Sequence, residues 1–200
     1  MPSLLESLTS QLGGSALEGM SRQLGTNKEQ TANGMAAALP LLLGALSRNS
    51  QSDTGATALS SALDRDHDGG ILSDVSGFLA GGDTSAGAGI LKHLLGGKQT
   101  RVQNGLAQSS GMDGAAAGKM LMMLAPMVMG AVGKAKRNSN LDASGLAGML
   151  GQERAAAEKK SSQSAGLMGA LLDTDGDGDV DISDLLKHGG GILGKFMGRN

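Results

Sequence analysis

The chain has no cysteine, no tryptophan and no tyrosine, and only two phenylalanines and three prolines in 200 residues. Without cysteine there are no disulfides, no thiol catalysis, no iron–sulfur cluster and no cysteine-held zinc. The compartment stays open, because cysteine-free proteins occur on both sides of a membrane. The near absence of aromatic rings removes the stacking platform that single-strand nucleic-acid binders use. A basic surplus is also missing: 17 Lys/Arg stand against 19 Asp/Glu, for a net charge of -2 and a pI of about 5.9. Nucleic acid is therefore not an expected partner. The opening Met1-Pro2-Ser3-Leu4-Leu5-Glu6 has neither a basic stretch nor a long apolar one, so no secretory signal is expected. Cytoplasmic residence is the default expectation, with export by a non-classical route as the alternative. The longest apolar runs, Met35–Leu46 and Met120–Val132, are each about a dozen residues. A bilayer span needs roughly 20, so both read as core helices and no transmembrane segment is expected.

What is abundant is glycine, 34 of 200 residues, together with 12 methionines and a hydrophobic content of 40%. That content is enough to bury a core, which must be built from Leu, Ala, Met, Ile and Val. Small residues let helices approach closely, and methionine fills irregular gaps. The periodicity is helical almost throughout. Leu4, Leu5, Leu8 and Leu12 recur at three- and four-residue spacing before Gly13-Gly14. Leu17, Met20 and Leu24 continue to Gly25, and Thr26 or Asn27 is placed to cap the next helix. A further helix follows Thr84 or Ser85 and stops at Gly96-Gly97. Sustained period-two alternation is lacking. The expected fold is all-α, a compact Gly/Ala/Met-rich helical bundle.

Pro40 and Pro126 each sit inside an apolar helical run, where a proline removes a backbone donor and predicts a kink or break. Aligning the two prolines gives an offset of 86 that also places Gly25 on Gly111, Gly44 on Gly130 and Met20 on Leu106. The pattern predicts two degenerate repeats. Each half then leads to an Asp-rich loop. The expected division is a helical domain over 1–150, a polar linker or exposed helix over 151–164, and a loop with flanking helices over 165–200.

The most specific motif is Asp173-Thr174-Asp175-Gly176-Asp177-Gly178-Asp179-Val180-Asp181-Ile182-Ser183-Asp184. It fits the twelve-residue calcium loop. Asp173, Asp175 and Asp177 stand at positions one, three and five, and Gly178 takes the sharp turn at six. Asp179 offers a carbonyl at seven, Asp181 reaches the ion at nine, and Asp184 closes the shell at twelve. These six carboxylates repel one another unless a hard cation gathers them. Calcium is the expected ion; the short Asp184 at position twelve admits magnesium as the alternative. The earlier loop, Asp64-Arg65-Asp66-His67-Asp68-Gly69-Gly70-Ile71-Leu72-Ser73-Asp74-Val75, is a degenerate version. Asp64, Asp66, Asp68 and the Gly69-Gly70 turn match, and Asp74 stands at eleven. Leu72 and Val75, at nine and twelve, cannot ligate. This loop is either a weaker site completed by water or a former site held by Ser73 capping the next helix. Ile71 and Val180, at position eight of each loop, are candidates for a backbone bridge between paired loops.

Catalytic candidates are poor. Of three histidines, His67 and His93 are expected at the surface, and His188 precedes a triple glycine. No nucleophile elbow, phosphate-binding loop or His-Glu-x-x-His motif is present. The methionine-rich Met120–Met129 segment reads as a core helix, or as an adaptable groove that calcium would open.

The stretch Gly89–Gln99, with Gln108–Asp113, Leu121–Gly133 and Ala62–Gly69, resembles the YidB-like bacterial family built on domain of unknown function 937, over roughly residues 1–150. The resemblance implies a small helical bacterial protein and no accepted activity. The 173–184 loop is similar to the calcium loops of dockerins and EF-hands over those twelve residues alone. The sequence thus points to a non-enzymatic protein that binds a divalent cation, structural or regulatory in role. One alternative is a self-associating module, a homo-oligomer or protein-binding unit whose Asp loops only stabilise it. The other is a metal-dependent hydrolase.

Overall fold

The structure is a computed structural model and describes residues 3–67 and 69–161. Contacts divide the chain into two units, Met1–Ala155 and Ala156–Asn200. The described residues are helical, with no strand among them. In order they form α1 (Leu4–Gln11), α2 (Ser15–Leu24), α3 (Lys28–Asn49), α4 (Asp53–Asp66), α5 (Val75–Gly81), α6 (Ser85–Leu95), α7 (Gln99–Ser110), α8 (Gly114–Asn138) and α9 (Ala143–Ser161). Short 3-10 turns cover Gly70–Ser73 and Gly96–Lys98. Residues 151–161, expected as a linker or exposed helix, continue α9.

Local chemistry sets the helix starts. Ser3 and Glu6 close a capping box on α1, and Asn27 with Gln30 closes another on α3. Asn27, not Thr26, is thus the cap of α3. At α6 neither expected residue caps with its side chain; Asp83 Oδ1 instead accepts from the Ser85 N–H at 2.9 Å. A carboxylate at the positive end of a helix is stabilised there.

The offset of 86 is visible in the backbone. Gly25 and Gly111 end α2 and α7 in the left-handed region, at φ 68° and 70°. Asn27 and Asp113 then cap α3 and α8, accepting from Gln30 N at 2.8 Å and Ala116 N at 2.7 Å. Met20 and Leu106 are both buried. Contacts across the repeats are reciprocal. Gln30 of α3 donates to the Gly111 carbonyl at the end of α7, and Lys119 of α8 donates to the Gln23 carbonyl at the end of α2. Gly34 and Met120 are equivalent positions and touch: a Cβ on Gly34 would lie 2.7 Å from the Met120 sulfur. Two positions related by the offset thus meet where α3 packs on α8.

Neither proline ends its helix; α3 and α8 run through Pro40 and Pro126 without a break. At Pro126 the Met122 carbonyl loses its helical donor, and Gly87 of α6 lies against it. A Cβ on Gly87 would collide with that oxygen and lie 2.6 Å from the Met122 carbonyl carbon. The glycine Cα hydrogens can serve the freed oxygen in its place.

The repeats differ in what covers them. Pro126, Met127 and Gly130 of α8 are buried, whereas their counterparts Pro40, Leu41 and Gly44 of α3 are half-buried. The cover over Gly130 is the turn after α4: a Cβ there would meet Ile71 Cγ2 at 2.6 Å. One described helix, α8, is long and apolar enough to cross a bilayer by length and composition, being longer than its apolar run. Its most apolar window is 83% buried inside the fold, as in the core helix of a globular protein.

Candidate functional site

Among the described residues the chemistry concentrates where α4 meets the end of α8. Helix α4 runs through Asp64 to Asp66, and His67 ends it, with its N–H donating to the Leu63 carbonyl at 3.3 Å. Gly69 then turns the chain at φ 85°, a conformation glycine takes at little cost. The 3-10 turn Gly70–Ser73 follows, and Asp74 accepts from the Gly77 N–H at 2.8 Å to start α5. Asp74, rather than Ser73, is the cap.

This turn sits on a glycine face of α8. A Cβ on Gly69 would lie 2.9 Å from Lys134 Cβ and 3.1 Å from the Gly130 carbonyl oxygen. A Cβ on Gly133 would collide with the His67 carbonyl oxygen. Gly130 and Gly133 thus let the turn reach backbone-to-backbone contact. His67, expected in solvent, is therefore half-buried, and burial pushes its imidazole below the usual 6.5. The nearby Asp66 carboxylate opposes that shift and the Arg65 guanidinium adds to it.

Lys136 is the one charged side chain buried among the described residues. It lies in the last turn of α8, where a cation meets the negative end of the helix dipole. Its side chain is 9% exposed, and its ammonium donates to both oxygens of Asp64, at 2.5 and 2.6 Å. Asp64 is more than half exposed. The helix ends just beyond: the Leu141 N–H donates to the Lys136 carbonyl at 2.9 Å, with Asn140 left-handed at φ 48°. Lys136, Arg137, Asn140 and Leu141 line an open depression there.

The sequence-predicted ligands divide as follows. Asp64 is held by Lys136. Asp66 pairs with Arg65, Nη2 to Oδ2 at 2.8 Å, and that hydrogen bond holds its carboxyl below the ordinary range. Asp74 is turned to the α5 backbone, and Gly70 is exposed at the start of the 3-10 turn. Among the described residues these groups are not gathered about one point, and none forms a metal-ligand cluster with others. Asp68 lies outside the described residues, as do Asp173, Asp175, Asp177, Asp179, Asp181 and Asp184 with Val180 and His188. His93 is exposed, its Nδ1 3.0 Å from the Gly89 carbonyl oxygen. In the methionine-rich segment, Met120, Met123, Met127 and Met129 are buried core.

Sequence reasoning missed Lys136 and Glu153. Lys136 stands four residues after Val132 and seven after Met129, on the buried face, and that spacing was the available signal. Glu153 of α9 accepts from the Leu4 N–H at 2.9 Å and the Leu5 N–H at 3.4 Å, serving two free donors at the start of α1. Nothing in the local sequence marks it.

Residues 6–135, from α1 into the last turns of α8, match the family described as bacterial protein of unknown function (DUF937). The chain belongs to this family. The DUF937 match thus covers both proline helices and the Asp64–Asp74 turn, and it stops one residue short of Lys136. No curated protein and no solved structure matches the chain.

Proposed function

We propose that this DUF937 protein is a non-enzymatic, calcium-binding helical protein in which the ion is held by the 173–184 loop. The observation that carries the reading is the ligand spacing Asp173, Asp175, Asp177, Asp179, Asp181 and Asp184 with Gly178 at the turn. Oxygen donors alone, six of them carboxylate-bearing residues, suit a hard ion with flexible coordination. A loop that surrounds the ion with its own oxygens leaves no open position for substrate, which favours a structural or regulatory ion over a hydrolytic one. The first loop is not part of this site, because Asp64 and Asp66 already have cationic side-chain partners.

Calorimetric titration of calcium and of magnesium into the full chain tests the reading. The expected result is one calcium site that is lost in Asp173→Ala/Asp175→Ala and kept in Asp64→Asn. Absence of calcium binding at millimolar ion would overturn it. Binding that survives the C-terminal double substitution would move the site elsewhere.

A further inference from the structure

We propose that the Lys136 ammonium is the built-in cation of the first Asp-rich turn, taking the place a divalent ion would hold, so that this turn closes without metal. The turn keeps the layout of a calcium loop. A helix enters it, Asp64 stands at position one, left-handed Gly69 stands at six, and Ile71 at eight packs inward on Gly130. A second helix leaves it at Val75, position twelve. What has changed is the ligand set: positions nine and twelve are Leu72 and Val75, which offer no side-chain oxygen.

With two ligands gone and Asp66 and Asp74 engaged by Arg65 and the Gly77 N–H, the position-one carboxylate Asp64 needs only a single charge to offset it. The Lys136 ammonium supplies that charge, and it is covalently tethered. Lys136 Nζ binds both oxygens of Asp64 from a side chain that is 9% exposed, so its charge is directed into the turn rather than into solvent. The stem reaches the turn because Gly130 and Gly133, six and three residues earlier on α8, let Gly69 and the His67 carbonyl settle on the helix. The tethered ion cannot dissociate or be chelated. The turn that docks on α8 is thereby insensitive to the calcium that the C-terminal loop is proposed to bind.

The experiment uses the full chain carrying Asp173→Ala/Asp175→Ala, which silences the C-terminal loop. With Lys136 intact, this chain is expected to bind no calcium and to melt at the same temperature in millimolar calcium and in chelator. Adding Lys136→Met is expected to lower the midpoint in chelator by about 3 °C, and millimolar calcium is expected to restore at least half of that loss. Lys136→Arg keeps the charge and is expected to remain indifferent to calcium. Calcium uptake by the parent, or a folded Lys136→Met chain whose melting ignores calcium, overturns the proposal. Should Lys136→Met fail to fold in both buffers, the calcium count of the parent decides: none bound supports the proposal, one bound overturns it. Failure of the C-terminal loop to bind calcium in the wild-type chain leaves these readings unchanged, since that loop is silenced throughout.

Discussion

Gly87 lies directly against the Met122 carbonyl, which Pro126 leaves without a donor inside α8. The proline and the glycine are thirty-nine residues apart in the sequence, yet they form one joint between α6 and α8. Space for a methyl group is lacking there, because the neighbour is backbone on a buried helix. Gly87→Ala is expected to destabilise the protein by about 3 kcal/mol, at the upper end of overpacking costs. Gly89, two residues on in the same helix, has nothing within 4 Å of a Cβ position. Gly89→Ala is expected to stabilise by roughly 0.5–1 kcal/mol through helix propensity. Urea denaturation of the two variants checks the pair; equal effects would contradict the close approach.

The Asp64–Lys136 pair is asymmetric in burial, and the two deletions should be unequal for that reason. Asp64→Asn leaves an ammonium with little access to water, at a cost of about 2 kcal/mol. Lys136→Met leaves a carboxylate that water can reach, at a cost of about 1 kcal/mol. The double variant is expected to be more stable than Asp64→Asn alone. A double-mutant cycle by chemical denaturation measures the coupling.

His67 makes stability depend on mildly acid pH. Its folded pKa is depressed from 6.5, so the unfolded chain takes up the proton first as pH falls. The contribution is complete above about 6.5 and is lost as pH drops from there to the depressed folded value. The slope within that window reaches at most about 1.4 kcal/mol per pH unit for one proton. Denaturation curves at several pH values should show a shallower decline in His67→Gln than in wild type.

Glu153 serves two amide donors at the start of α1, which also has its own Ser3 capping box. Glu153→Gln keeps the acceptor oxygen but removes the charge that favours a helix N-terminus. A loss of about 0.5–1 kcal/mol is expected, localised to α1. Hydrogen exchange should quicken at the α1 amides while those of α8 stay protected.

The all-helical architecture, the helix stops at Gly25 and Gly96 and a cap at Thr26 or Asn27 were legible because each rests on residues near in sequence. A capping box spans four residues, and a left-handed glycine such as Gly25 or Gly111 acts on its own helix end. The fate of Pro40 and Pro126 was not legible in this way. Whether a proline breaks a helix depends on what surrounds the freed carbonyl, and the residue packed on that of Met122 is Gly87, thirty-five positions away in the chain.

The Asp64–Asp74 turn shows the same division within one motif. Its spacing announced a loop with a glycine at the turn and an inward apolar residue, and Gly69 and Ile71 occupy those roles. The partner of Asp64 came from α8, seventy-two residues later, and so did the burial that depresses His67. Sequence by itself determined where helices start and stop and which residues carry charge, because backbone capping and side-chain ionisation are local. Tertiary structure decided which charges meet and which glycines must stay bare, because both depend on distance between helices that the chain joins only through long connections.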